Sequence, residues 1–307
     1  MVLKEIALSS HRERWLKKKS LHLFWRVIAV LPDEPYVRWK YFSLSGRFPD
    51  LHNPSLFTEK VQFRKLYDRN PLYPALVDKY AAKAFIAERA GSEYVIETYW
   101  VGRDLEKIEW DQIPLPAVVK PTHGSGDGVF LHSRSDVDKL LRNNPAPYWM
   151  AQRHDRINRE WAYRQLVPQV IIERMLGENG SALDDYRFFV FSGKVALIEL
   201  RLRRDGIGYE CYYTPDWKKM GLCSNYYSPY LRERPRPAQL EEMLEVARRI
   251  AGDIDFMRVD LYLEGGNVYV GELTLYPGGG FHGSVPDLID KSLGNLWTVQ
   301  IGQIGGP

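Results

Sequence analysis

"FMRVDLYLEGGNVYVGELTLYPGGG", residues 256–280, alternates apolar and polar positions on either side of Glu264-Gly265-Gly266. That pattern predicts two antiparallel strands joined by a tight turn. Strand side chains alternate between faces, so a two-residue period gathers Arg258 and Asp260 on one side of the first strand. On the returning strand the same period gathers Val270, Glu272 and Thr274. Two carboxylates and a hydroxyl on one polar face make an oxygen site of the kind Mg²⁺ uses. That ion takes few protein carboxylates and fills its other positions with phosphate or water. Arg258 alongside would stabilise negative charge developing on a phosphate or a carbonyl adduct. The plain alternative is an exposed sheet face carrying ordinary ion pairs. Gly278, Gly279 and Gly280 follow at once, with His282 just beyond, and such a run suits either close approach by a ligand or a tight turn.

Upstream, "AVVKPTHGSGDGVF" (117–130) places Lys120 at the end of an apolar strand and Gly124, Gly126 and Gly128 after it. Glycines so spaced let backbone N–H groups turn toward phosphate oxygens. The lysine precedes the glycines, so this is not a Walker A loop, and the order required of a dinucleotide fingerprint is missing as well. A flexible hairpin is the other reading. "YPALVDKYAAKAFIAERAG" (73–91) predicts one helix stopped by Gly91, with Lys79 and Lys83 one turn apart on one face. "LFTEKVQFRKLY" (56–67) predicts another, capped by Asn53 or Ser55, with Glu59 early in it. "YVIETYWVG" (94–102) and "QVIIERML" (169–176) predict strands, and "DVDKLLRNN" (136–144) a short helix. "DYRFFVFSGKVALIEL" (185–200) predicts a second hairpin, turning at Ser192-Gly193. "PAQLEEMLEVARRIAG" (237–252) carries Leu240, Leu244, Ala247 and Ile250 on one side, hence an amphipathic helix. The fold class is α+β, with antiparallel sheet dominant in the C-terminal half.

The bulk composition sets limits on function. The 307 residues are 45% apolar and 26% charged, without low-complexity tracts, and the formal net charge is only +3. So weak a balance argues against a nucleic-acid partner. The basic cluster "RERWLKKKS" (12–20) precedes "LHLFWRVIAVL" (21–31), which is too short to span a bilayer. It reads as a solvated helix face, or as peripheral contact with a membrane surface or anionic polymer. Cys211 and Cys223 form no metal-ligand pattern and fit a reducing compartment. The expected location is cytoplasmic, with the inner membrane face as an option; oligomeric state is not legible.

Taken together, Lys120 before a glycine loop, a strand with Glu173, and R-x-D followed twelve residues later by E-x-T resemble the ATP-grasp superfamily. In detail the chain is similar to its TupA-like branch, found with polysaccharide-biosynthesis genes, from about "LFTEKVQFRKLY" to "ELTLYPGGGFHG". The resemblance implies an ATP-grasp fold with nucleotide held between two α/β subdomains. It divides the chain into an N-terminal helical segment (1–50), an N-terminal subdomain (51–115), a small subdomain with the glycine loop (116–176) and a C-terminal subdomain (177–307).

The resemblance also implies roles for residues. Lys83 would be the outer lysine on the ATP phosphates, with Lys79 a nearby alternative, and Lys120 the inner lysine. Gly124, Ser125, Gly126 and Gly128 would form the loop over the β- and γ-phosphates. Glu173, Arg174, Met175 and Leu176 would hold adenine, and Asp185 and Arg187 the ribose, the acceptor or phosphate. Asp260 and Glu272, with Thr274 where many such ligases have asparagine, would hold one or two Mg²⁺ ions. Arg258 would stabilise the tetrahedral intermediate.

Candidate acceptor contacts are His123, Arg201, Arg203, Gly278, Gly279, Gly280 and His282. Beside them Tyr209, Tyr212, Tyr213, Trp217, Tyr226, Tyr227 and Tyr230 either line a sugar groove or pack the domain. The implied activity is ATP-dependent amide formation through an acyl phosphate. The implied substrates are a small-molecule carboxylate and an amine, or a sugar-linked acceptor. A small-molecule or sugar kinase and a non-catalytic nucleotide-binding protein are the alternatives.

Overall fold

The alternating stretches of the second half pair into one sheet. In the computed structural model, which describes residues 30–124, 126–177, 183–204, 206–222, 227–281 and 285–299, the chain divides into two compact units at Phe48/Pro49. Ser125, Cys223, Tyr226, His282 and the basic cluster 12–20 lie outside the described residues, as does most of the apolar run 21–31. The first unit contributes helix α1 (Asp33–Ser45), closed by Gly46, whose left-handed backbone lets its N–H reach the Phe42 carbonyl. No helix among the described residues is long and apolar enough to cross a membrane.

The second unit begins with α2 (Phe57–Tyr67), α3 (Tyr73–Val77) and α4 (Ala81–Arg89). There follow β1 (Thr98–Gly102), β2 (Ala117–Pro121), β3 (Val129–Leu131), α5 (Arg134–Asn143), α6 (Ala146–Ala151), α7 (His154–Asn158) and β4 (Val170–Arg174). Strands β1–β4 make a small antiparallel sheet in the order β1-β4-β2-β3. Next come β5 (Asp185–Phe191), β6 (Lys194–Arg204), β7 (Ile207–Tyr213), β8 (Lys219–Met220), β9 (Ser228–Pro229), α8 (Leu240–Ala251), β10 (Phe256–Glu264), β11 (Asn267–Thr274) and α9 (Asp287–Leu296). The larger sheet runs β11-β10-β5-β6-β7-β8, with β9 parallel to β7. Both hairpins turn at the residues expected, Ser192-Gly193 and Gly265-Gly266. Val259, Phe188 and Ile198 stand side by side across the sheet on its apolar face, and the buried stripe of α8 joins the same core.

Two expectations are corrected. The helix over 73–91 breaks at Asp78, whose carboxylate accepts from the N–H groups of Tyr80 and Ala81, 2.9 Å each. This side chain competes with the helix for its own backbone, so α3 ends and α4 begins anew. Lys79 therefore leaves the helix, and its N–H donates to the Thr122 carbonyl at 3.0 Å. The second correction concerns α2. Its start is closed by Glu59, which accepts from the N–H groups of Ser55 and Leu56, and by Asp290, which accepts from the Thr58 N–H and hydroxyl at 2.8 Å. Neither Asn53 nor Ser55 gives a side-chain cap.

Helix α2 reads as polar, yet Gln62, Arg64 and Lys65 are buried. Arg64 donates to the carbonyls of Phe256 (2.9 Å) and Leu275 (3.3 Å), pairs with Asp255 and lies 4.3 Å over the Trp297 ring. Gln62 and Lys65 donate to carbonyls of the turn Pro277–Gly280, where Gly278, Gly279 and Gly280 all have positive φ. A β-carbon on Gly280 would stand 2.5 Å from Val61 Cβ. Gly280→Ala therefore combines backbone strain with overlap. It is expected to destabilise the protein by about 3 kcal/mol in chemical denaturation. Gly265→Ala, strained but meeting nothing within 4 Å, should cost about 1 kcal/mol.

Candidate active site

The strand register places Arg258 opposite Thr274 and Asp260 opposite Glu272. Beyond them the pairing slips: Leu261 faces Val270, and Gly271 is the extra residue of a β-bulge. Val270 is thereby turned away from Glu272 into the core, contrary to simple alternation. Only glycine fits the bulge, since a β-carbon on Gly271 would meet the Tyr262 ring at 2.3 Å. Arg258 is buried and grips both oxygens of Asp260, at 2.7 and 2.6 Å, while its Nη2 reaches the Thr274 hydroxyl at 3.0 Å. Burial works against the Arg258 charge, but Asp260 beside it outweighs this and holds the guanidinium above its ordinary range.

The polar face continues across the sheet. Asp260 pairs with Arg187, Arg187 with Glu199, Asp185 with Arg201, and Arg201 with Glu210. Arg187 bonds Asp185 at 2.7 Å and stands 3.8 Å from Asp260 and 4.0 Å from Glu199. Arg201 bonds Glu199 at 2.5 Å and covers the Tyr227 ring at 4.4 Å. Burial, with help from the Asp260 charge, pushes the Asp185 carboxyl up to about 6 against the pull of Arg187. Glu199 and Glu210, both buried, are members of this ladder that the sequence reading passed over. The alternation of charge through "IELRLRR" is the signal that could have found Glu199, whereas Glu210 is the lone charge in "IGYECYY" and has no such pattern around it.

The lysines meet on the other side of a crevice between the sheets. Glu173, 4% exposed, bonds Lys83 at 3.1 Å and Lys120 through its second oxygen. Burial pushes the Glu173 carboxyl up, but the Lys120 and Lys83 ammonium groups outweigh it and hold it below the usual glutamate range. Burial lowers both Lys83 and Lys79. Lys79 donates to the Gly124 carbonyl and so clasps the root of the glycine loop. Lys79, Lys83, Lys120, Glu173 and Glu272 line one cavity of about 20 Å³, room for roughly a single water.

The remaining candidates are spread around this centre. Arg174 reaches Glu264 at the hairpin turn (2.8 Å), Met175 is buried and Leu176 half-buried. His123 is buried with Nε2 3.0 Å from the Trp149 carbonyl. Arg203 is exposed, Gly280 is packed against Val61 and Gln62 of α2, and Gly279 is packed against Asn158 and Phe281. Among the described loop glycines only Gly126 has a left-handed backbone. Of the clustered aromatics, Tyr212, Tyr213 and Trp217 are buried, and Tyr213 and Trp217 stack at 4.2 Å, so these rings pack the domain.

The donor set can be tested against the groups the resemblance implies. Among the described residues no three His, Cys, Asp or Glu side chains are grouped to hold a metal. Mg²⁺ held mainly by phosphates needs only one or two carboxylates, and the facing pair Asp260 and Glu272 fits that use. Carboxylates directly opposite across a ladder repel, which a cation would relieve. Three ammonium groups converging on one crevice fit a polyphosphate.

The chain matches the family model described as TupA-like ATPgrasp over residues 59–298. No curated protein matches it. Among solved structures it is similar to D-alanine–D-alanine ligase from Bacillus anthracis, at 16% identity and TM-score 0.44, over 67% of this chain and 58% of that one. It is also similar to a RimK domain ATP-grasp protein from Sphaerobacter thermophilus, at 13% identity and TM-score 0.40, over 67% and 61%. A third is N5-carboxyaminoimidazole ribonucleotide synthetase from Thermus thermophilus, at 12% identity and TM-score 0.38, over 71% and 51%. The chain thus spans less than two thirds of the length of each.

Glu173→Gln leaves two half-buried ammonium groups without their carboxylate. It is expected to destabilise the fold by about 3 kcal/mol at neutral pH. A depressed carboxyl contributes its stability above the ordinary glutamate pKa of 4.5 and loses it as pH falls toward the folded value. Denaturation curves of the two proteins should therefore converge on acidification below that value.

Proposed function

The chain belongs to the TupA-like ATP-grasp family, and on that footing we propose that it is an ATP-dependent, ADP-forming ligase joining a carboxylate to an amine. The observation that supports this reading most directly is the convergence of Lys79, Lys83, Lys120 and Glu272 on one crevice, with Asp260 and Arg258 beside Glu272. Lys83 and Lys120 would bind the phosphates of ATP, exchanging part of their pairing with Glu173 for phosphate oxygens. Residues 124–128 would cover those phosphates, with Lys79 fixing the loop at Gly124. Asp260, Glu272 and Thr274 would hold Mg²⁺, which when bound neutralises charge on the transferring phosphoryl group.

The substrate carboxylate attacks the γ-phosphate of ATP, giving an acyl phosphate and ADP. The amine then attacks the carbonyl carbon, the C–O bond to phosphate breaks, and the amine's proton leaves with the phosphate. Arg258, aligned by Asp260 and Thr274, would face the oxyanion formed in that second step. None of this needs a protein nucleophile, consistent with a buried Cys211 whose thiol is raised by burial. An amino acid or sugar-linked acid of a polysaccharide is the substrate class that family resemblance favours, and the ATP-rich cytoplasm is the compartment the reaction requires.

Lys120→Ala and Glu272→Ala should each lower ADP release by about 100-fold or more while the protein stays folded. With ATP, Mg²⁺ and an accepted acid, hydroxylamine should trap an acyl hydroxamate. Full turnover in either variant would overturn the site assignment. A stable phosphorylated product without hydroxamate would make the enzyme a kinase.

A further inference from the structure

Helix α1 is apolar on two sides, and only one of them is covered. Tyr36, Val37 and Tyr41 are buried, whereas Pro35, Trp39 and Phe42, at i, i+4 and i+7, stand exposed on the opposite side. The left-handed turn at Gly46 brings the chain back, and Phe48 stacks on Phe42 with ring centroids 4.6 Å apart. Trp39 meets both rings edge-on, at 6.0 and 5.7 Å. Trp39 is nonetheless 50% exposed and Phe48 51%, so the three rings form one patch open to solvent. A contiguous aromatic patch of this kind marks a docking surface.

The charge of the same unit indicates what it docks on. Residues 1–48 hold ten Lys and Arg against four Asp and Glu, a formal net charge of +6, which leaves the other 259 residues with −3 of the overall +3. The basic cluster 12–20, outside the described residues, supplies much of that surplus, and the apolar stretch 21–31 joins it to α1. Arg47, exposed and next to Phe48 in the chain, lies 5.4 Å over the Tyr41 ring and donates to its hydroxyl at 2.9 Å. None of this belongs to the ATP-grasp match, which begins at residue 59. A second copy of the chain would set like charge against like, so the surplus favours an anionic partner.

We propose that the first unit docks on an anionic lipid surface, with Trp39, Phe42 and Phe48 entering the headgroup layer and the basic residues facing lipid phosphates. Aromatic rings bury their apolar bodies at that depth, while lysine and arginine heads stay in water beside the phosphates. A single weak anchor binds a membrane only marginally, and an apolar patch combined with a polybasic segment holds. The proposal is independent of the ligase reading, for it uses no residue of the candidate active site.

Co-sedimentation of the full chain with lipid vesicles tests this. Vesicles of phosphatidylcholine mixed with phosphatidylglycerol should carry the protein down, and vesicles of phosphatidylcholine alone should not. Raising the salt concentration should release it. Trp39→Ser combined with Phe48→Ser should weaken binding about 10-fold or more. Lys17→Gln, Lys18→Gln and Lys19→Gln together should weaken it by a similar factor of about 10. Both variants should keep the thermal midpoint of the unsubstituted chain. Absence of binding to the mixed vesicles, or undiminished binding by either variant, would overturn the proposal. A dimer of the full chain that the ring variant dissociates would assign the patch to a second copy and overturn it as well. Polygalacturonate bound in solution with the same dependence on the rings would assign the patch to a soluble polymer instead.

Discussion

Glu173 is the counter-charge around which the crevice is organised. One buried carboxylate draws Lys83 from α4 and Lys120 from β2 onto β4, so a single side chain ties three elements together. Burying an ion is expensive unless it is paired and hydrogen-bonded, and removing one partner strands the others. The lysines are therefore held in place before any ligand arrives, at positions set by the small sheet's own register. Their charge is offset only in part, and an anion entering the crevice would find ammonium groups already oriented.

The opposing wall follows a different rule. On β10 and β11 the charged groups are fixed by strand pairing, and acid and base alternate outward through β5, β6 and β7. Each arginine in the ladder touches carboxylates, so a nearly dry polar face can coexist with an apolar one a single strand-thickness away. The Gly271 bulge sets where the polar run stops: it turns Val270 inward and leaves Glu272 facing Asp260. Arg174, bonded to Glu264 at the hairpin turn, joins this wall to the strand that carries Glu173.

Much of this was legible because strand alternation and turn chemistry are local. Glu264-Gly265-Gly266 and Ser192-Gly193 mark their turns, and a period of two places Arg258, Asp260, Glu272 and Thr274 together. What escaped depended on partners that are distant or compete locally. The bulge depends on the Tyr262 ring lying over Gly271. The break at Asp78 is a contest between a side chain and helix propensity, and its result frees Lys79 to meet the loop. The polar face of α2 gave no sign of burial, because its acceptors lie far along the chain and many are backbone carbonyls, which carry no residue signature.

Those far acceptors bear on how the protein is made. Thr58 finds Asp290 232 positions later, and Lys65 finds Gly279 214 positions later. Lys60 reaches the Trp297 carbonyl, 237 positions on. On the ribosome α2 emerges early, yet beyond the nearer Asp68 and Asn158 the acceptors of Arg64 and Lys65 at Phe256, Leu275 and Gly279 are not made until the C-terminal hairpin and the turn after it. Contacts of such long separation are slow to form and leave apolar surface uncovered meanwhile. Until Phe189, Phe256 and Trp297 have been added, the Phe57 ring that they surround stays uncovered, so the core of the second unit is completed late in synthesis.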